Sequence, residues 1–77
     1  MPKVTVYSTP TCTYCTLAKQ YFKLNNVAYE EYDVSADQSK LQEMVQKSGQ
    51  MGVPVITIGE DVIVGFDEPR IRQMIGK

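Results

Sequence analysis

The sequence predicts an α/β domain in the order β-α-β-α-β-β-α, a four-stranded mixed sheet with helices on both faces. Three observations carry this reading. Strand-like and helix-like periodicities alternate along the 77 residues, with no repeat, low-complexity tract or linker. The first two strand segments are separated by a helical one, a crossover that makes them parallel. The last two are separated only by the turn Gly59-Glu60-Asp61, which makes them an antiparallel hairpin.

Taken in order, Val4-Thr5-Val6-Tyr7 is β-branched and aromatic, as a strand should be, and Ser8-Thr9-Pro10-Thr11 breaks it. From Cys12 onward Leu17, Ala18, Tyr21 and Phe22 recur at helical spacing as one core-facing stripe, which Asn25-Asn26 ends. Val27 to Val34 reads as the second strand, with Val27, Tyr29 and Tyr32 inward. Ser35-Ala36-Asp37-Gln38 has the form of a capping box with Ser35 at the N-cap. Leu41, Met44 and Val45 are the buried stripe of the helix that follows, and Ser48-Gly49 stops it. Val53 to Ile58 is the third strand and Val62-Ile63-Val64 the fourth. Asp67 can cap the last helix, Pro69 fits its first turn, and Ile71, Met74 and Ile75 are its buried face.

The length supports one domain, residues 1–77, that buries only about 60–65% of its unfolded surface. Hydrophobic and charged fractions of 43% and 22% are those of an ordinary globular domain. A net charge of −1 with no basic patch argues against nucleic acid as a partner. No apolar run approaches the ~20 residues of a membrane span. The start Met1-Pro2-Lys3-Val4-Thr5 lacks the apolar core of a signal peptide, so the expected location is cytoplasmic.

The chemistry rests on Cys12-Thr13-Tyr14-Cys15. Two cysteines in a small chain admit a structural disulfide or half of a zinc site. The first usually accompanies secretion and more bridges. The second usually needs four Cys or His ligands, and this chain has two cysteines and no histidine. Cys-x-x-Cys near a βαβ pattern points instead to redox chemistry, with no metal. Position strengthens this. Cys12 falls at the start of a helix, where free backbone N–H groups and the helix dipole favour a thiolate. Cys15 lies one turn further in on the same face. Cys12 is therefore assigned as nucleophile and Cys15 as the cysteine that resolves the mixed disulfide. Pro54 opens a strand, which needs no functional reason.

Val6-Tyr7-Ser8-Thr9-Pro10-Thr11-Cys12-Thr13-Tyr14-Cys15, then Gly52-Val53-Pro54, then Val64-Gly65-Phe66-Asp67-Glu68, resembles the glutaredoxins along the whole chain. The resemblance implies a thioredoxin fold with Pro54 in cis beside the cysteines and the Val53 backbone free to pair with an incoming peptide or glutathione. It implies a thiol–disulfide oxidoreductase acting on disulfide-containing proteins or glutathione-mixed disulfides. Glutathione would be its co-substrate, no cofactor would be bound, and the chain would be a monomer. The substrate-facing residues would be Tyr14, Gln50, Val53, Pro54, Gly65, Phe66, Asp67 and Glu68. Three of these carry a second reading: Tyr14 as a plain helix-surface aromatic, Phe66 as core, and Asp67 as a cap alone. Three departures from the family pattern stand out. Thr13-Tyr14 replaces the usual Pro-Tyr, Thr9 stands where many members have a lysine for the glycine carboxylate of glutathione, and Gly65-Phe66 replaces the usual later motif. The Gly-Phe pair resembles redoxins that are recharged by thioredoxin reductase and donate electrons to ribonucleotide reductase. Some glutaredoxins instead bridge an iron–sulfur cluster between two chains through the first cysteine, a further alternative.

Overall fold

In a computed structural model the described residues are 3–76; Met1 and Pro2 of the N-terminal segment, and Lys77, lie outside them. The elements are β1 (Val4–Ser8), α1 (Thr13–Leu24), β2 (Glu30–Asp33), α2 (Gln38–Ser48), β3 (Val55–Ile58), β4 (Asp61–Val64) and α3 (Glu68–Ile75). They form a four-stranded sheet in the order β2-β1-β3-β4. β1 runs parallel to β2 and antiparallel to β3, and β3 and β4 form the antiparallel hairpin. This is the mixed α/β architecture expected from the sequence.

Register decides which side chains share a face. Val6, Ile56 and Ile63 stand opposite one another across β1, β3 and β4. They pack with Ala18 and Phe22 of α1 and Ile71 and Ile75 of α3 in the larger core. The other face carries a smaller core of Tyr7, Val34, Met44 and Val55 beneath α2. Two helices on one face and one on the other bury both sides of the central strands. Among the described residues no helix is long and apolar enough to cross a membrane.

The structure corrects several local expectations. Leu17 is 41% exposed, so the inward stripe of α1 is Cys15, Ala18 and Phe22. Leu17 lies about 100° round the helix from Ala18, and a face packed on so small a sheet is narrow. β2 begins at Glu30, not Val27, because Val27 closes the C-terminal capping turn that follows α1. Its N–H bonds to Phe22 O at 2.8 Å and that of Asn26 to Lys23 O at 3.2 Å, with Asn26 at φ 57°. This paired closure around a left-handed residue brings Val27 onto Phe22 in the larger core. The cap of α2 is Asp37, whose side chain accepts from Lys40 N at 3.2 Å. Ser35 does not cap because Asp33 holds it, accepting from both its N–H and its hydroxyl. β3 begins at Val55, after a proline that has no N–H to give a ladder. β4 begins one residue early, at Asp61, paired with Ile58.

Tyr7, fully buried in β1, donates its hydroxyl to Glu43 of α2 at 3.1 Å and accepts from Lys47 at 3.3 Å. Burial and then the Glu43 carboxylate push its pKa up to about 12, while Lys40 pulls the other way. The folded state thus keeps this proton after the unfolded chain has lost it. The associated stability is complete below pH 10.0 and is lost as pH rises towards 12. Tyr7→Phe should flatten the fall in the urea midpoint over that interval, and an unchanged slope would disprove the linkage.

Candidate active site

Pro10 shapes the turn that leads into α1. It occupies the second position of a turn closed by Cys12 N to Thr9 O at 3.3 Å, where its fixed φ fits. Cys12 is then the N-cap of α1, with φ −89° and ψ 111°. N-caps are usually Ser, Thr, Asp or Asn because a side-chain acceptor satisfies a free helix N–H. Here sulfur takes that place: Cys12 Sγ accepts from Cys15 N at 3.1 Å. An N–H aimed at sulfur, with the positive end of the helix behind it, stabilises the charged form once the thiol is reduced.

Cys12 and Cys15 are joined as a disulfide, with Cα atoms 5.2 Å apart. Cys12 is half-buried and Cys15 fully buried. Cys15 thus offers no surface to an incoming thiol or disulfide, while Cys12 keeps part of its own.

Beside the pair lies an open cleft of about 560 Å³, lined by Tyr14, Val53, Pro54, Val64, Gly65, Phe66, Asp67, Glu68 and Pro69. Three separate segments meet there. Tyr14, from the first turn of α1, is 63% exposed. The Val53–Pro54 peptide is cis. Among the described residues, no hydrogen bond engages the Val53 amide or carbonyl. Gly65 N–H bonds to Pro54 O at 2.8 Å, which fixes the exit of β4 against the proline. Gly65 has φ 83°, a left-handed conformation that favours glycine, while the space around it would admit a Cβ.

Phe66 stands at the border between cleft and core. It lines the cleft, and it packs on the larger core with its ring centroid 6.0 Å from that of Tyr21. Asp67 likewise lines the cleft while capping α3, its carboxylate accepting from Arg70 N at 3.4 Å. Glu68 pairs with Arg72 at 2.7 Å. Gln50 stands apart from the cleft lining. Its amide donates to Gly52 O at 3.0 Å and accepts from Gly52 N, so it braces the backbone leading to Val53. Val64 and Pro69 were not anticipated in the cleft. The signal for Val64 was available, since alternation about the inward Ile63 turns it outward. Pro69 offered only a helix-start signal.

The lining contains two carboxylates and no lysine or arginine. Thr9, where a cation would serve a carboxylate ligand, is neutral. On the edge strand β2, Glu31 accepts from Lys19 at 2.7 Å and from the buried Ser8 hydroxyl at 3.2 Å. Among the described residues no cluster of three or more His, Cys, Asp or Glu side chains could hold a metal ion.

Comparison with known proteins adds four findings. Residues 4–63 match the family model described as Glutaredoxin. A glutaredoxin of Neisseria meningitidis is 43% identical over 75 residues, covering 95% of this chain and 88% of that protein. An uncharacterized glutaredoxin-like 8.6 kDa protein in the rubredoxin operon of Clostridium pasteurianum is 40% identical over 74 residues, 96% and 99% of the two chains. Among solved structures, a mutant of the thioredoxin-like protein BC3987 superposes with a TM-score of 0.91 at 33% identity, covering 99% of this chain and 97% of the other.

Proposed function

This chain belongs to the glutaredoxin family, generally thiol–disulfide oxidoreductases, and on that premise we propose that it reduces protein disulfides and glutathione-mixed disulfides, with Cys12 as nucleophile and Cys15 as resolving cysteine. The observation that carries this reading is the asymmetry of the pair: a half-buried sulfur that receives a helix N–H, and a fully buried one behind it.

The Cys12 thiolate attacks one sulfur of the substrate disulfide and expels the other as a thiolate, which takes up a proton. The Cys15 thiol then loses its proton and attacks Cys12 Sγ. That bond forms as the mixed disulfide breaks, and the reduced substrate leaves. Substrate gains two electrons, and the enzyme ends as the Cys12–Cys15 disulfide. Two molecules of glutathione restore the dithiol and leave as glutathione disulfide. Val53 offers a free backbone edge for the substrate, and Tyr14, Pro54 and Phe66 supply apolar parts of the cleft wall. Such a cycle suits a reducing compartment, the cytoplasm, and a single-domain monomer.

A second donor is favoured by one observation. Without a cation in the lining, the glycine carboxylate of glutathione loses a charge-assisted bond. That loss costs about 5–30-fold in affinity. Direct recharging by thioredoxin reductase escapes this penalty. The deciding measurement is a coupled assay that compares glutathione, glutathione reductase and NADPH with thioredoxin reductase and NADPH. Thr9→Lys should lower KM for glutathione about 5–30-fold with kcat little changed. No change in KM, together with efficient turnover by thioredoxin reductase, would remove glutathione as donor. Failure with both donors would overturn the reductase reading itself.

A further inference from the structure

The thiol cleft has a chemical character of its own. Two apolar side chains of its wall stand exposed: Tyr14 is 63% and Val64 53% accessible. Leu17, 41% accessible, follows Tyr14 by three residues and extends that face of α1. Clustered apolar exposure of this kind marks contact with a partner. A tripeptide such as glutathione is too short to cover all of it from the cleft, whereas a longer extended segment running out over α1 could.

Charge points the same way. Asp67 and Glu68 both line the cleft, and no cation does. Arg72 pairs with Glu68 from outside the lining and offsets part of its charge. Asp67 has no ion-pair partner among the described residues. Glutathione carries two carboxylates against one ammonium, so it brings net negative charge to a net negative wall. A lysine or arginine beside a substrate cysteine would meet the opposite charge.

We infer that the cleft selects protein disulfides whose reactive cysteine lies in an extended segment flanked by an apolar residue and a lysine or arginine, over glutathione disulfide. This rests on the reductase reading above. The apolar residue lies against Tyr14, Val64 and Leu17, and the basic one faces Asp67 and Glu68. Val53 supplies the backbone edge.

The test uses two synthetic heptapeptides, each with a central cysteine followed by leucine. They differ only in lysine or glutamate before the cysteine, and each is dimerised through its disulfide. With dithiothreitol as terminal reductant for every substrate, kcat/KM is measured for both peptides and for glutathione disulfide, at low and high salt. The lysine peptide should be reduced about 3–10-fold faster than the glutamate peptide and faster than glutathione disulfide, with the gap closing in high salt. The double substitution Asp67→Asn, Glu68→Gln keeps the cap and should erase most of that gap. Val64→Ser should slow both peptides alike. Equal rates for the two peptides, a reversed order, or a gap that survives the double substitution would overturn this selectivity while leaving the reductase reading intact. If neither peptide nor glutathione disulfide is reduced, although dithiothreitol opens the Cys12–Cys15 bond, the reductase reading falls and the selectivity with it.

Discussion

Cys15→Ser is expected to abolish catalysed reduction of a protein disulfide and to leave the substrate covalently attached to Cys12. A serine hydroxyl fits the space of the thiol but cannot attack a disulfide, so the mixed disulfide has no internal exit. The loss should be roughly a hundredfold or more, as when the second of two linked covalent steps is removed. Reduction of small glutathione-mixed disulfides should survive, because a second glutathione can resolve the intermediate from outside. Cys12→Ser should lose both activities. Non-reducing electrophoresis and intact mass measure the trapped adduct, and thermal unfolding controls for placing a hydroxyl where Cys15 is fully buried. Undiminished turnover of a protein disulfide by Cys15→Ser would end its assignment as the resolving cysteine. Adduct formation through Cys12 is required for the same assignment to stand, because the first attack does not involve Cys15.

The sequence carries local order well because local order here is periodic. Val4 to Tyr7 has no other reading than a strand, and Ala18 and Phe22 are three and seven residues beyond Cys15, one helix face. The glycine stop of α2 and the acidic cap with proline of α3 stand where their backbone chemistry requires them. What went astray was decided by competition between neighbours. Ser35 has every qualification for a cap, yet Asp33 two residues earlier takes its N–H and hydroxyl, and Asp37 becomes the next free acceptor. Val27 looks like the first residue of a strand, yet the left-handed Asn26 turns it back on Phe22.

The candidate site was legible in a different sense. Cys12 and Cys15 are adjacent in one short motif, and their inequality follows from helix position alone. The cleft is not local: it joins the first turn of α1, the segment before β3 and the link from β4 to α3. No spacing rule connects residues 14, 54 and 66, and only the resemblance to a family placed them together. Even so, the resemblance did not place Val64 and Pro69 in the wall, nor turn Gln50 back onto Gly52. The cis peptide before Pro54 lay beyond local reasoning too, since only about 5–6% of X–Pro bonds in folded proteins are cis.

Phe22→Ala should be the most damaging single change to the fold. Phe22 is fully buried at the centre of the larger core, with ring centroids 5.9 Å from Tyr21 and 5.7 Å from Tyr29. It also anchors the end of α1, because Val27 both bonds to its carbonyl and packs in the same core. Truncating a buried phenylalanine costs about 3–5 kcal/mol. At about 0.05–0.15 kcal/mol per residue, a chain of this length has only about 4–12 kcal/mol of stability to lose. The variant should therefore unfold at a much lower urea concentration or fail to fold at room temperature. Phe22→Leu refills most of the space and should remain folded with a smaller loss. Far-ultraviolet circular dichroism against urea separates the two. The leucine variant also separates fold from chemistry, since Phe22 lies more than two helical turns beyond Cys12 and takes no part in the cleft. Its turnover per folded molecule should match that of the unaltered chain. A Phe22→Ala midpoint within error of the parent would mean that α1 does not depend on this packing. The first turn of α1 would then have to be held by the Thr9–Cys12 turn and the disulfide alone.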